Sequence, residues 1–328
     1  MPLNRLLTLG VLAAQFLIFS IFANGFLTVG GVLNLLVQTS TYAIVSIGSA
    51  LVLIVGGIDF SLGAVVALSG HAVVWLVVLG APVWISMIAA ASLGGVIGLA
   101  NGFLVARLRL PPFITTLGTL MTVYGILGSA APHVRAYPVP QSLGDLANTP
   151  VFRLRSHGAA GLTTVAFPGV SWLVIIMVVV AVLFHVMLRK TMIGRYAYLV
   201  GSNEAAARFS GIQVRRITVT AYVLAGLLAG LAGVLLASRV VGTPGAAEAY
   251  PFIGIICAMI GGASLAGGTG SVGGTVIGSF IISTLAMGLT MLNTSSPGLP
   301  LLFNGIVILV AVHLDQVRNR GWADRRSV

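Results

Sequence analysis

The residue in this chain best equipped to do chemistry is Asp59, in the stretch "VGGIDFSLGAV" (55–65). It sits between long apolar runs. Between Arg5 and Arg107 the only other side chain able to carry charge near neutral pH is His71. An aspartate at the centre of a membrane helix costs about 2.5–3.5 kcal/mol, so something local must offset that cost. Two roles do so. Asp59 is either the N-cap of a helix that starts near Phe60, with "SLGA" as its first turn, or part of the wall of a polar cavity at a helix break, beside Ser61, where a carboxylate can accept hydrogen bonds from solute hydroxyls. Other polar side chains fall inside apolar runs: Asn34 and Gln38, one turn apart on one helix face, and Asn101, Thr115, Thr116 and Asn304. Each either lines a route or bonds one helix to another. Phe252 and Phe303 are candidates for an aromatic gate.

Catalytic constellations are missing. The histidines at 71, 133, 157, 185 and 313 have no metal-ligand spacing, no two acids lie one helical turn apart within an apolar run, and no G-x-S-x-G is found. The one cysteine, Cys257, excludes an internal disulfide and a cysteine-rich metal site. A phosphate-binding loop needs G-x-x-x-x-G-K-[ST]; the only lysine, Lys190, stands in "LRKT". The string "GTGSVG" (268–273) matches G-x-G-x-x-G but joins two apolar segments, so it is expected to be a tight turn between helices rather than a dinucleotide site. No catalytic residue, metal or cofactor is expected, and the chain has no P-loop of its own.

The elements that position these residues follow from composition. Of 328 residues, 58% are hydrophobic and 7% charged, against about 25% charged in soluble domains. Apolar runs of about 20 residues indicate transmembrane helices rather than a barrel. Ten spans are expected, near 6–23, 31–55, 60–80, 83–105, 112–131, 168–188, 217–238, 252–267, 271–292 and 299–314. The fold class is therefore all-α: a polytopic membrane helix bundle, one transmembrane domain over 1–328. Glycines break the pairs at 31–80 and 252–292, where short or re-entrant helices are expected. Three G-x-x-x-G spacings, Gly94/Gly98, Gly226/Gly230 and Gly274/Gly278, read as helix-packing faces.

Charge orients the bundle. With the N-terminus in the cytoplasm, the cytoplasmic segments hold thirteen of the 17 basic residues. The net charge of +11 then reports orientation and not nucleic-acid binding. Both termini are expected inside, with 132–167 an external loop and 189–216 a cytoplasmic one. Within the latter, "NEAAARFSGI" predicts a short helix, with Asn203 as N-cap, Glu204 in the first turn and Gly211 at the exit. It is either an amphipathic linker at the lipid headgroups or a docking helix for a cytoplasmic partner through Glu204, Ala205, Ala206, Arg208 and Gly211.

Four stretches, "IVGGIDFSLGAVVALSG" (54–70), "ANGFLVARLRLPPFITTLGTL" (100–120), "IGRYAYLVGSNEAAARFSGI" (193–212) and "MIGGASLAGGTGSVGGTVIG" (259–278), resemble the membrane permease subunits of bacterial ABC importers for ribose, xylose, galactose and similar sugars, a family that includes autoinducer-2 permeases. The resemblance runs in order along nearly the whole chain. It implies a ten-helix bundle in the bacterial inner membrane and pairing with a second copy or a related permease. It also implies a cytoplasmic ATPase clamped on the segment Glu204–Gly211, and a periplasmic or lipid-anchored sugar-binding protein at the outer face. Relatives carry two acids in a segment that looks like an inverted-repeat copy of the Asp59 region; this chain has Pro251 and Ile253 there. That loss leaves homodimer and heterodimer both open. The alternatives are a stand-alone secondary transporter or channel for a small polar solute, which the near absence of intramembrane charge disfavours, and a membrane-embedded enzyme, which lacks a constellation.

Overall fold

The computed structural model describes residues 2–134, 140–151, 154–157, 163–167, 169–239, 250–292 and five positions between 302 and 309. Nine apolar helices answer to nine of the ten expected spans: α1 (Pro2–Phe22), α2 (Val29–Ile54), α3 (Leu62–Val78), α4 (Val83–Ala106), α5 (Pro112–Val134), α7 (Trp172–Lys190), α10 (Val214–Arg239), α11 (Tyr250–Ile260) and α12 (Val272–Met291). Six helical stretches, in α2, α4, α5, α7, α10 and α12, are long and apolar enough to cross a bilayer. Three polar-segment helices complete the described set: α6 (Gln141–Asn148), α8 (Met192–Ser202) and α9 (Glu204–Phe209). Most of the tenth span, 299–314, lies outside the described residues, as does Asn304.

The burial pattern is that of a bundle in lipid. α2 is central and buried along most of its length, while α4 and α7 turn Trp84, Val96, Phe103, Val179 and Leu183 outward. Small hydroxyl residues such as Ser40, Ser46, Ser69 and Ser279 are instead fully buried. Hydrocarbon is as apolar as leucine, so nothing drives large side chains inward, and small residues that let backbones approach win the contacts.

Two of the three G-x-x-x-G faces pack on each other. A Cβ added at Gly94 would strike the Gly226 carbonyl, one at Gly226 the Gly94 carbonyl, and one at Gly98 the Tyr222 carbonyl. α4 and α10 thus meet backbone to backbone. The third face, Gly274/Gly278 on α12, fits against Gly261 and Cys257 of α11.

Helix starts are fixed by side chains. Thr28, Ser171, Thr191 and Ser271 each accept a hydrogen bond from a backbone N–H in the first turn of α2, α7, α8 and α12. Three boundaries differ from expectation. α3 begins at Leu62 rather than near Phe60, because 55–61 is taken up by a loop that Gly56 opens at φ +85°. α11 stops at Ile260 rather than running to 267, because Gly262 adopts φ +92° and turns the chain. Residues 132–167 hold more structure than a plain loop: α6, and a hairpin of β1 (Leu154–His157) and β2 (Thr163–Phe167) paired antiparallel.

α6 and α9 mark opposite ends of the bundle. Leu143 of α6 packs with Val73, Ala90 and Val234, whereas Val214 packs with Val200 and Ala207 beside α9. Val214 and Val234 both lie on α10. Twenty helical residues separate the two levels by about 30 Å, the thickness of a bilayer's hydrocarbon core.

Candidate functional site

The loop between α2 and α3 carries Asp59, which is buried, as are Ser61 and Asn101. Asp59 Oδ1 accepts from the Ser61 backbone N–H at 2.8 Å and from Ser61 Oγ at 2.6 Å. Asn101 Nδ2 on α4 donates to Ser61 Oγ at 2.9 Å, and Thr119 Oγ1 on α5 donates to Asn101 Oδ1 at 2.5 Å. Every side-chain donor in this chain points toward the carboxylate, the arrangement that stabilises a buried negative acceptor. The Asp59 Oδ2 atom has no hydrogen-bond partner among the described residues. The carboxylate thus serves a backbone N–H at the entrance of α3 while Ser61, not Asp59, occupies the N-cap position.

The rest of the loop is also held from outside. Thr116 Oγ1 donates toward the Ile58 carbonyl at 3.3 Å and accepts from the Phe60 N–H at 3.2 Å. The Tyr222 hydroxyl of α10 reaches the Ile58 carbonyl at 3.5 Å across Gly57, where a Cβ would stand 2.6 Å from that hydroxyl. Phe60 packs edge-on against Phe113 of α5, with centroids 5.4 Å apart, and against Phe252 of α11, at 5.7 Å. Phe113 and Phe252 are both half-exposed.

Of the residues singled out from sequence, the fold brings Asp59, Ser61 and Asn101 into one network and sets Phe252 beside the same loop through Phe60. Thr115 is buried but bonds back to the Pro111 carbonyl at 3.0 Å. Asn34 is exposed, and Gln38, one turn on, donates to the Tyr42 hydroxyl at 3.5 Å. Phe303 is exposed. Sequence reasoning missed Thr119, Phe113 and Tyr222, which reach the site only through the docking of α5 and α10. It passed over Phe60 as a mere helix start.

The second site is α9. Asn203 caps it, Oδ1 accepting from the Ala206 N–H at 2.9 Å. Glu204 and Arg208 form an ion pair one turn apart on the exposed side, and Gly211 at φ +79° ends the turn. Ala205 and Ala206 are exposed, while Ala207 anchors the helix against Val200 and Val214. Phe209 is 93% exposed, a large apolar side chain presented to the surroundings with no cover. α8 ties this unit to the bundle. The Tyr198 hydroxyl donates to the Gly270 carbonyl at 2.9 Å, and Gly201 lies so close to the Ile54 carbonyl that a Cβ would overlap it. The Gly268 N–H donates to that same carbonyl at 2.9 Å. "GTGSVG" is therefore a turn that closes the C-terminal end of α2 and leads into α12. Among the described residues, no three His, Cys, Asp or Glu side chains gather as a metal requires.

A family model described as "Branched-chain amino acid transport system / permease component" matches residues 31–312. The ribose import permease protein RbsC of Bacillus subtilis (strain 168) is 38% identical over 304 residues, covering 92% of this chain and 90% of the relative. The ribose import permease protein RbsC of Escherichia coli (strain K12) is 36% identical over 316 residues, covering 96% and 94%. The fructose import permease protein FrcC of Rhizobium meliloti is 34% identical over 286 residues, covering 86% and 76%. No solved structure matches. A multi-pass helical bundle, matched over most of its length by a permease model and by import permeases, is a transport subunit and not a catalyst: the chain belongs to the permease family that the model describes, and the resemblance carried by its four motifs holds.

Proposed function

We propose that this permease carries a small neutral sugar inward across the bacterial inner membrane, driven by ATP hydrolysed on a separate cytoplasmic ATPase. A sugar-binding protein delivers the solute at the opposite face, and the working unit pairs this chain with a second copy or a related permease. The observation that carries the reading is α9: a capped, six-residue helix with Ala205 and Ala206 uncovered and Phe209 93% exposed. An isolated helix that short is not stable by propensity. It is held by its cap, its ion pair and Ala207, and what it presents is a small-residue face that permits close approach, beside one aromatic of the kind interface cores favour. The sugar class is supported by the ribose and fructose import permeases among the relatives.

Force applied at α9 has a short route into the membrane. α8 touches the end of α2 at Ile54 and the turn before α12 at Gly270. Both breaks in the bundle therefore lean on the helix that carries the docking unit. The Asp59 network then fastens the first break to α4 and α5, so a shift of α8 is passed to four helices together. In this scheme Asp59 and Ser61 act as positioning residues, and Phe60, Phe113 and Phe252 form the apolar constriction beside them.

The test is co-purification of the ATPase with transport-linked ATP hydrolysis, next to a melting curve of the permease. Ala206→Arg adds bulk and charge on the uncovered face, and Phe209→Ala removes the anchor. Both are expected to abolish or weaken ATPase binding, Phe209→Ala by about 2 kcal/mol or more as anchor truncations do, with the melting temperature unchanged. Full ATPase binding and coupled uptake in both variants would show that α9 is not the interface.

A further inference from the structure

The end of α7 and the helix that follows it carry charge without a counter-ion. Between Asp145 and Glu248 the only acid is Glu204, and Arg208 holds it in the one ion pair among the described residues. Arg189, Lys190 and Arg195 are all exposed. The C-terminal dipole of α7 amounts to about half a charge and cannot neutralise two cations. Arg195 turns its guanidinium onto Met192 Sδ rather than onto an acid. Arg195 and Tyr198 share a face of α8 at i, i+3, and Arg189 acts electrostatically on the Tyr198 hydroxyl. The two guanidiniums thus flank one face of α8. His185, one turn before Arg189 and also exposed, continues that side along α7.

Their depth is that of lipid headgroups. Trp75, Trp84 and Trp172 are exposed, and all three lie at the α6 end. Trp75 and Trp84 adjoin Val74 and Val83, which pack around Leu143, and Ser171, just before Trp172, donates to the Ala147 carbonyl of α6. Exposed tryptophans at one level mark a membrane–water interface. From there the outer side of α7 is apolar through Val178, Val182 and Val186. α7 is 19 residues long, about 28 Å, so Arg189 and Lys190 reach the far edge of a hydrocarbon core of about 30 Å. At that edge the chain turns. A Cβ on Gly194 would overlap the last turn of α7 at Leu188, and α8 leaves Met192, Ile193 and Leu199 exposed. Uncovered apolar side chains beside unpaired cations are what a helix at headgroup level presents.

We propose that Arg189, Lys190 and Arg195 hold the phosphate of an anionic phospholipid in the leaflet at the α9 end, with Met192, Ile193 and Leu199 beside its first acyl carbons. The residue types suit that group: each guanidinium can grip two phosphate oxygens, and the ammonium adds a point charge. A zwitterionic headgroup brings its own cation and gains less. The lipid pins α8, the link between α9 and the bundle, to the membrane surface. Lipid held here requires neither ATPase docking on α9 nor sugar import.

The purified permease is offered an equal mixture of phosphatidylglycerol and phosphatidylcholine with the same acyl chains, and bound lipid is read by native mass spectrometry. Phosphatidylglycerol is expected to be retained in preference. Arg189→Gln/Arg195→Gln is expected to cut that preference about tenfold or more, as two charges lost at an anionic surface would. Arg107→Gln/Arg109→Gln removes equal charge from the exposed turn between α4 and α5 and is expected to leave the preference intact. In phosphatidylcholine vesicles both double variants are expected to melt with the parent. If Arg189→Gln/Arg195→Gln melts lower there, Arg195→Gln alone decides: a loss of preference of about threefold or more supports the site, and no loss overturns it. Equal loss in the two double variants would overturn the site by showing diffuse attraction to net charge. Unchanged preference in Arg189→Gln/Arg195→Gln would overturn it as well, and a simultaneous failure of the ATPase to co-purify would assign these cations to the ATPase interface instead.

Discussion

At the scale of the residue, Asp59 shows how a charge is placed inside a membrane protein without facing lipid. Its Oδ1 takes two hydrogen bonds from Ser61, and Ser61 Oγ takes one from Asn101. Asp59→Asn keeps an acceptor at the same point and should retain much of the stability. Asp59→Leu leaves the Ser61 N–H and hydroxyl buried and unpaired, a loss of about 1–3 kcal/mol. Thermal unfolding in detergent is expected to rank wild type, Asn, Leu in falling order. Equal, wild-type-like melting of both variants would remove the capping role, and transport lost in Asn with the fold intact would move Asp59 toward solute contact. The carboxylate itself was legible in the sequence because a lone acid in an apolar run must be accounted for. Ser61, Asn101 and Thr116 also stood out as polar side chains in apolar runs, but which of them would meet was not legible. Thr119 and Tyr222 are ordinary helix residues by type, and only the docking of α5 and α10 brings Thr116 and Tyr222, 56 and 164 positions away, to the loop.

At the scale of the element, glycine spacing did most of the predicting. The Gly94/Gly98 and Gly226/Gly230 faces were readable as packing surfaces, and the fold joins them to each other; which face met which was not readable, since spacing marks a surface and not its partner. Asn203, Glu204 and Gly211 likewise give the start, first turn and exit of α9, because caps and turns are local chemistry. Lengths were less legible. α11 reads as an apolar run to 267, yet Gly262 in the left-handed region ends it at Ile260. The pairing of β1 with β2 escaped because strands of four and five residues carry too short a pattern to be read. The α4–α10 contact gives a sharp test. Gly98→Leu puts a branched side chain into the Tyr222 carbonyl and should cost about 3 kcal/mol or more through overpacking, seen as a large drop in melting temperature or in folded yield. The same change at Gly118 of α5, where a Cβ meets nothing within 4 Å, should leave both near wild type.

At the scale of the whole molecule, α6 and α9 cap opposite ends of one 26-residue helix, α10. Basic residues gather beside α9, with Arg189, Lys190, Arg195, Arg208, Arg215 and Arg216 running from the last turn of α7 to the first turn of α10. By the positive-inside rule we propose that this end faces the cytoplasm. Single cysteines at Ser202 and Ser142, both exposed, in a chain whose Cys257 is replaced by serine, are expected to react with an impermeant maleimide from the inside and from the outside, respectively. Labelling of Ser202→Cys from the outside would invert the topology and remove the proposal that an ATPase docks on α9.

The bond from the Gly268 N–H to the Ile54 carbonyl has a consequence for how the protein is made. Helices enter the bilayer in the order of translation, and α2 arrives second, long before the turn that closes its end has left the ribosome. During that interval its buried serines and threonines have neither α11 nor α12 to cover them, and its Ile54 carbonyl lacks the glycine turn that will satisfy it. The most central helix of the finished bundle thus stays incomplete until α11 and α12 have been made. Chains halted after Arg239 should accordingly present α2 to the membrane's quality-control proteases, and the addition of α11 and α12 should be the step that makes the molecule resistant to them.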